Sequence, residues 1–88
     1  MRFEWDERKR RVNLAKHGLD FRRAVTVFDR TSFTYPSPRL DEERWVTVGE
    51  AHGRLVAVVW TWRSGAIRVI SMRRARREEA GQYRQLFG

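Results

Sequence analysis

The ten residues "RLVAVVWTWR", 54–63, constrain the fold more than any other stretch. From Leu55 to Trp60 no polar residue interrupts the run. Side chains alternate across a strand, so a strand with one wet face would show a polar residue at every second place. This one is apolar on both sides and predicts a central strand covered on both faces. It is bracketed by "HG" and "SG", and beyond these lie "RWVTVGEA" and "AIRVISMR". Two-residue loops of that kind join adjacent antiparallel strands, so residues 44–73 read as a meander.

Before the meander, "FEWDERKRRVNLAKHGLDF" reads as a short lead-in, a helix and a turn. Asp6 is placed to cap that helix and Gly18 to end it. Val12 and Ala15, with Phe3 and Trp5, supply its apolar side, and the rest is polar enough for a surface helix. A second helix starts at Asp20, with Phe21, Ala24, Val25 and Phe28 at helical spacing. "SFTY" suits a strand, which "PSP" then ends. Asp41, Glu42 and Glu43 read as a charge run in the following loop. From Arg74 or Ala75 to Leu86 the pattern is helical again, with Ala80, Tyr83 and Phe87 on one side. The order is ααββββα, an α+β fold with an antiparallel sheet of three to four strands. At 88 residues it is one domain, 1–88.

Composition narrows the chemistry. Without cysteine there is no disulfide or thiolate metal site, and His17 and His52 alone do not complete a zinc set. No metal and no cofactor is expected. No apolar run is long enough to span a membrane and no signal-peptide pattern opens the chain, which leaves a cytoplasmic protein as the expectation. The net charge is +8, and 17 of the 19 basic residues are arginine. Arginine's planar fork binds phosphate bidentately and stacks on bases, which favours a polynucleotide or an acidic protein as partner.

One group of basic residues lies late in the chain. Arg63 and Arg68 flank the "SG" turn, close enough in a hairpin to share a phosphate. Regular alternation sends Arg68 and Arg73 to opposite faces, unless a bulge redirects one of them. Arg73, Arg74, Arg76 and Arg77 crowd a helix start, where the dipole favours anions. RNA carries its own nucleophile, the 2′-hydroxyl, so cleaving it needs only positioning, proton transfer and neutralisation of a charged transition state. Glu79, Tyr83, Lys16 and His17 are the candidates for proton transfer, each with a structural alternative; His52, in a turn, reads as solvated. Trp60 and Trp62 read as core residues. A basic binding module without catalysis accounts for the same charge.

Two blocks, "FEWDERKRRVNLAKHGLDFRRAVTVF" and "ERWVTVGEAHGRLVAVVWTWRSGAIRVISMRRARREEAGQY", resemble the BrnT toxins, the ribonuclease half of BrnT/BrnA toxin–antitoxin pairs. The likeness runs from Phe3 to Tyr83. It is carried by Trp5, Asp6, Lys9, Asn13, Lys16, His17, Gly18 and Phe21, then by Arg44, Gly49, Arg63, Arg68, Ser71, Arg73, Ala75, Glu79 and Tyr83. It implies a RelE-like fold and a metal-independent endoribonuclease that stops translation. It also implies a ribbon-helix-helix (BrnA-like) antitoxin, a heterotetrameric complex, and operator DNA bound only through that complex. On this reading Arg63, Arg68 and Arg73 hold the scissile phosphate, while Glu79 and Tyr83 orient an arginine or the substrate. Lys16 and His17 are second-rank proton carriers, and Arg44, Arg74, Arg76 and Arg77 bind RNA. Arg74 stands where the family has lysine, which keeps the charge but not a titratable amine.

Overall fold

The structure is a computed structural model that describes residues 1–38 and 42–88; Asp41, read above as loop charge, lies outside them. The elements are β1 (Phe3–Trp5), α1 (Glu7–His17), a 3-10 turn (Phe21–Arg23) running into α2 (Ala24–Asp29), β2 (Ser32–Ser37), β3 (Arg44–Ala51), β4 (Arg54–Arg63), β5 (Ala66–Arg74) and α3 (Arg77–Phe87). One sheet contains all five strands in the order β1-β5-β4-β3-β2. The doubly apolar strand β4 is central, as its sequence requires. His52 and Gly53 have φ of 55° and 71°, and Ser64 and Gly65 have 51° and 77°. Positive φ at both loop residues matches the twist of the flanking strands, so these two hairpins fix the register of the meander.

Helices α1 and α2 cover one face of the sheet. Phe21, Val27, Val56, Val58, Ile67, Val69 and Met72 are buried there without measurable exposure or nearly so. Trp60 lies among them, stacked on Trp45 and edge-on to Phe28. The opposite face carries a smaller cluster, Val46, Val48 and Ala57, with Phe33, Tyr35, Val59, Ala75 and Tyr83 packed around it. Helix α3 lies on part of that face only.

Several expectations need correction. The lead-in "FEW" is a strand, paired in parallel with β5 through Phe3↔Ile67 and Trp5↔Val69, so the sheet is mixed and five-stranded rather than antiparallel with three or four strands. Three residues are too few to show periodicity, and it is the neighbouring strand that makes them extended. The inner side of α1 is polar: Arg10 and Asn13 are buried, whereas Val12 is 60% exposed. Asn13 belongs there because its amide donates to the carbonyls of Leu19 and Met72 and accepts the N–H of Met72. Arg10 belongs there because it joins Glu7 to Asp20, the cap of the next turn. The second helix opens with a 3-10 turn, which shifts its phase and buries Val27 in place of Val25. Pro36 stays within β2 because β2 is an edge strand, where a missing donor costs no ladder bond. Trp62, read as core, is 52% exposed because it lies beyond the helices covering its face.

Candidate nucleic-acid interface

The arrangement of cations on the α3 face begins with an irregularity in β5. Val59 pairs with Ser71 but Trp60 pairs with Val69, so Ile70 is an extra, unpaired residue. Such a bulge reverses the alternation beyond it. Arg68, opposite Thr61, and Arg73, opposite Ala57, therefore lie on the same face. Four residues of β4 separate their pairing positions, roughly 13 Å along the strand.

At the Arg68 end the face is not covered by α3, and a groove of about 420 Å³ opens there. Lys9, Arg44, Arg63 and Arg68 line it, together with Thr61. They come from four different elements: α1, β3, and both arms of the β4–β5 hairpin. Two of the cations are held by carboxylates at the rim. Arg68 meets Glu4 across the β1–β5 pair at 3.2 Å, and Arg44 is hydrogen-bonded to Glu42. Each of these pairs is partly open to solvent, so it orients its guanidinium without removing the charge.

At the Arg73 end the geometry is closed. Arg73 donates to both oxygens of Glu79, at 2.8 and 3.0 Å, and the Tyr35 hydroxyl donates to the same carboxylate. The Arg76 N–H adds a fourth bond at 2.7 Å, which satisfies one of the free donors at the start of α3. Burial by itself pushes the Glu79 carboxyl up, but these hydrogen bonds, Arg73's foremost, outweigh it and hold the group at about 2. Tyr35 shifts the other way, through burial and the adjacent carboxylate. Glu79 is thus ionised and fully engaged, a group that fixes Arg73 rather than one ready to accept a proton.

The other candidates are spread out. Tyr83 makes no bond to Glu79; its ring meets Phe87 edge-on at 5.0 Å and packs on the small cluster. Lys16 and His17 end α1, exposed, while the groove lies at its beginning, beside Lys9. Arg74, Arg76 and Arg77 are exposed at the β5–α3 junction. Among the described residues no three His, Asp or Glu side chains gather closely enough to hold a metal, and no helix is long and apolar enough to cross a membrane.

The model of the family described as "Ribonuclease toxin, BrnT, of type II toxin-antitoxin system" matches residues 5–79. The chain belongs to the BrnT family. It is thereby a ribonuclease toxin of a type II toxin–antitoxin system, a class that works with a protein antitoxin. A search of curated proteins finds no match.

Two residues of this candidate site are not marked as such by the sequence. Lys9 carries the resemblance in the first block but lies in the basic run Arg8 to Arg11, where nothing singles it out from a charged helix face. Only the β1–β5 pairing, which delivers the start of α1 to the sheet edge, shows its place. Tyr35 sits in a short strand before two prolines, 44 residues from the carboxylate it meets, and no local pattern marks it.

Proposed function

We propose that this BrnT-family toxin is a metal-independent endoribonuclease that binds RNA along the α3 face of its sheet. The observation that carries this reading is the convergence of Lys9, Arg44, Arg63 and Arg68 on one groove, with Arg73 farther along the same face. The 2′-oxygen attacks the adjacent phosphorus, the bond to the 5′-oxygen breaks, and a 2′,3′-cyclic phosphate and a 5′-hydroxyl result. Arg63 and Arg68 neutralise the charge that grows on the five-coordinate phosphate, a kind of stabilisation worth several powers of ten in rate. Arg73, held by Glu79 and Tyr35, seats a neighbouring phosphate. The 2′-hydroxyl proton passes to water, and the Lys9 ammonium is the donor nearest the groove for the departing 5′-oxygen. Lys16 and His17 are the alternative donors for an RNA that wraps the α1 edge. Arg44, Arg74, Arg76 and Arg77 extend the cationic track, and Tyr83 supports it through the packing of α3.

In the cell this activity stops translation until a ribbon-helix-helix antitoxin binds, in a heterotetramer that also carries the complex to operator DNA; the family resemblance is what supports these points. Purified Arg68→Ala and Arg73→Ala proteins, checked for native circular dichroism and assayed on RNA for cyclic-phosphate ends, test the reading. Both should lose cleavage. Wild-type rates in both would sink it.

One observation favours a second reading, a basic module that binds RNA and serves as a co-repressor subunit. Among the described residues no carboxylate or imidazole stands ready in the groove as a base, since Glu4 and Glu42 each hold an arginine. Tight RNA binding without cyclic-phosphate products by the wild-type protein would select it.

A further inference from the structure

The far end of the α3 face holds a second cavity, about 520 Å³, between α3 and the β3–β4 hairpin. Its lining includes the apolar Leu55, Ala80 and Tyr83 and the basic Arg54, Arg74 and Arg84. Among the described residues none of these three arginines has an ion-pair partner, and Glu50, the one acid lining the cavity, is engaged by Arg30 at 3.6 Å. We propose that this cavity is the docking site for an acidic protein segment that inserts one or two aliphatic or aromatic side chains, and that this segment belongs to the antitoxin.

The chemistry separates this site from the groove, and of its three arginines Arg74 alone also belongs to the proposed RNA track. Three cations around a small apolar patch of Leu55, Ala80 and Tyr83 match carboxylates flanking an apolar anchor, and a phosphate would leave that patch unused. A nucleobase needs an open aromatic face, but the Tyr83 ring is packed on the sheet and met by Phe87. The volume suits a few side chains rather than a folded surface. Leu55 and Arg63 are eight residues apart on β4, roughly 27 Å, so a segment seated here leaves the groove uncovered. Docking and cleavage are therefore separable, although assigning the segment to an antitoxin rests on the toxin reading above.

The test uses the full chain and two synthetic 14-residue peptides, one with alternating glutamate and leucine clusters and one with serine in place of leucine. Binding is read by fluorescence anisotropy at 150 mM salt, with a 12-nucleotide RNA as competitor. RNA cleavage is assayed in parallel. The leucine peptide should bind at least tenfold more tightly than the serine peptide. The double variant Arg54→Glu, Arg84→Glu should weaken it at least tenfold while cleaving RNA within threefold of the wild-type rate. Arg63→Glu should do the reverse, impairing cleavage and changing peptide affinity less than twofold. Equal weakening by Arg63→Glu would mean unspecific charge attraction and overturn the proposal. So would displacement of the peptide by RNA together with loss of RNA binding in the double variant. If the wild type cleaves nothing yet binds the peptide as described, the ribonuclease reading fails and the docking site stands.

Discussion

Asn13 holds Met72 by both of its backbone polar groups, donating to its carbonyl at 2.9 Å and accepting its N–H at 3.2 Å. A neighbouring strand would make the same two bonds, but β1 pairs with β5 only as far as Val69. One side chain of α1 thus continues the ladder past the end of β1 and past the bulge at Ile70. Replacing Asn13 by alanine leaves buried backbone groups unpaired, at a cost of about 2–4 kcal/mol. Asn13→Asp should do no better, because a carboxylate has no donor for the Leu19 and Met72 carbonyls. Urea denaturation of both variants measures the loss.

Glu79 makes stability depend on acidity in a definite window. Its carboxyl lies at about 2 in the fold against an ordinary 4.5, so it is ionised in the native state where the unfolded chain has taken up a proton. The stabilisation is complete above about pH 4.5 and falls away as pH drops toward 2, on the order of 2 kcal/mol in all. Denaturation midpoints taken from pH 7 down to pH 2 should decline across that interval. Glu79→Gln should be less stable at pH 7 and should show a flatter profile.

Gly49 is required by packing rather than by backbone angle. A Cβ there would lie 2.9 Å from Cγ1 of Val27 and 3.3 Å from the Thr31 carbonyl. Gly49→Ala must push α2 off the sheet, an overpacking cost of about 1–3 kcal/mol. A drop in thermal midpoint with retained RNA binding is the expected outcome.

Lys9 and Lys16 should behave differently. Lys9→Ala removes a groove cation and is expected to lower the cleavage rate by roughly 10–100-fold. Lys16→Ala, at the other end of α1, should change it by no more than about threefold. Single-turnover rates on one RNA, measured side by side, decide this.

RNA affinity should fall steeply with salt. If the groove and Arg73 together neutralise three or four phosphates, the logarithm of the binding constant should fall with a slope of roughly −2 to −3 against the logarithm of salt concentration. Arg63→Ala should make that slope shallower by about 0.7, the value of one phosphate contact on a single strand.

The meander was legible because each of its strands carries its own evidence: a doubly apolar run and two turn dipeptides that permit positive φ. The caps of α1 were legible for the same local reason, since Asp6 accepts from the N–H groups of Arg8 and Lys9, and the Gly18 N–H returns to Leu14. What stayed hidden depends on partners distant in sequence. Asn13 reads as one polar residue among many until Met72 is beside it. Arg68 and Arg73 share a face because of one unpaired residue, and nothing in "RVISMR" declares that Ile70 is the one. Glu79 and Tyr83 have the spacing of a pair on a helix, yet the half-buried Arg73 guanidinium and the Tyr35 phenol draw the carboxylate elsewhere.

The pairing of β1 with β5 also has a bearing on how the protein is made. Phe3 waits for Ile67, and Glu4 for Arg68, so the sheet edge that carries Lys9 to the groove cannot close on a ribosome-bound chain still short of Val69. Contacts spanning so much of the sequence also slow folding relative to a local helical design. A chain still short of Val69 lacks the strand pairing that brings Lys9 beside Arg63 and Arg68. On the proposed reading, the groove that would cleave RNA is therefore among the later parts of the sheet to assemble.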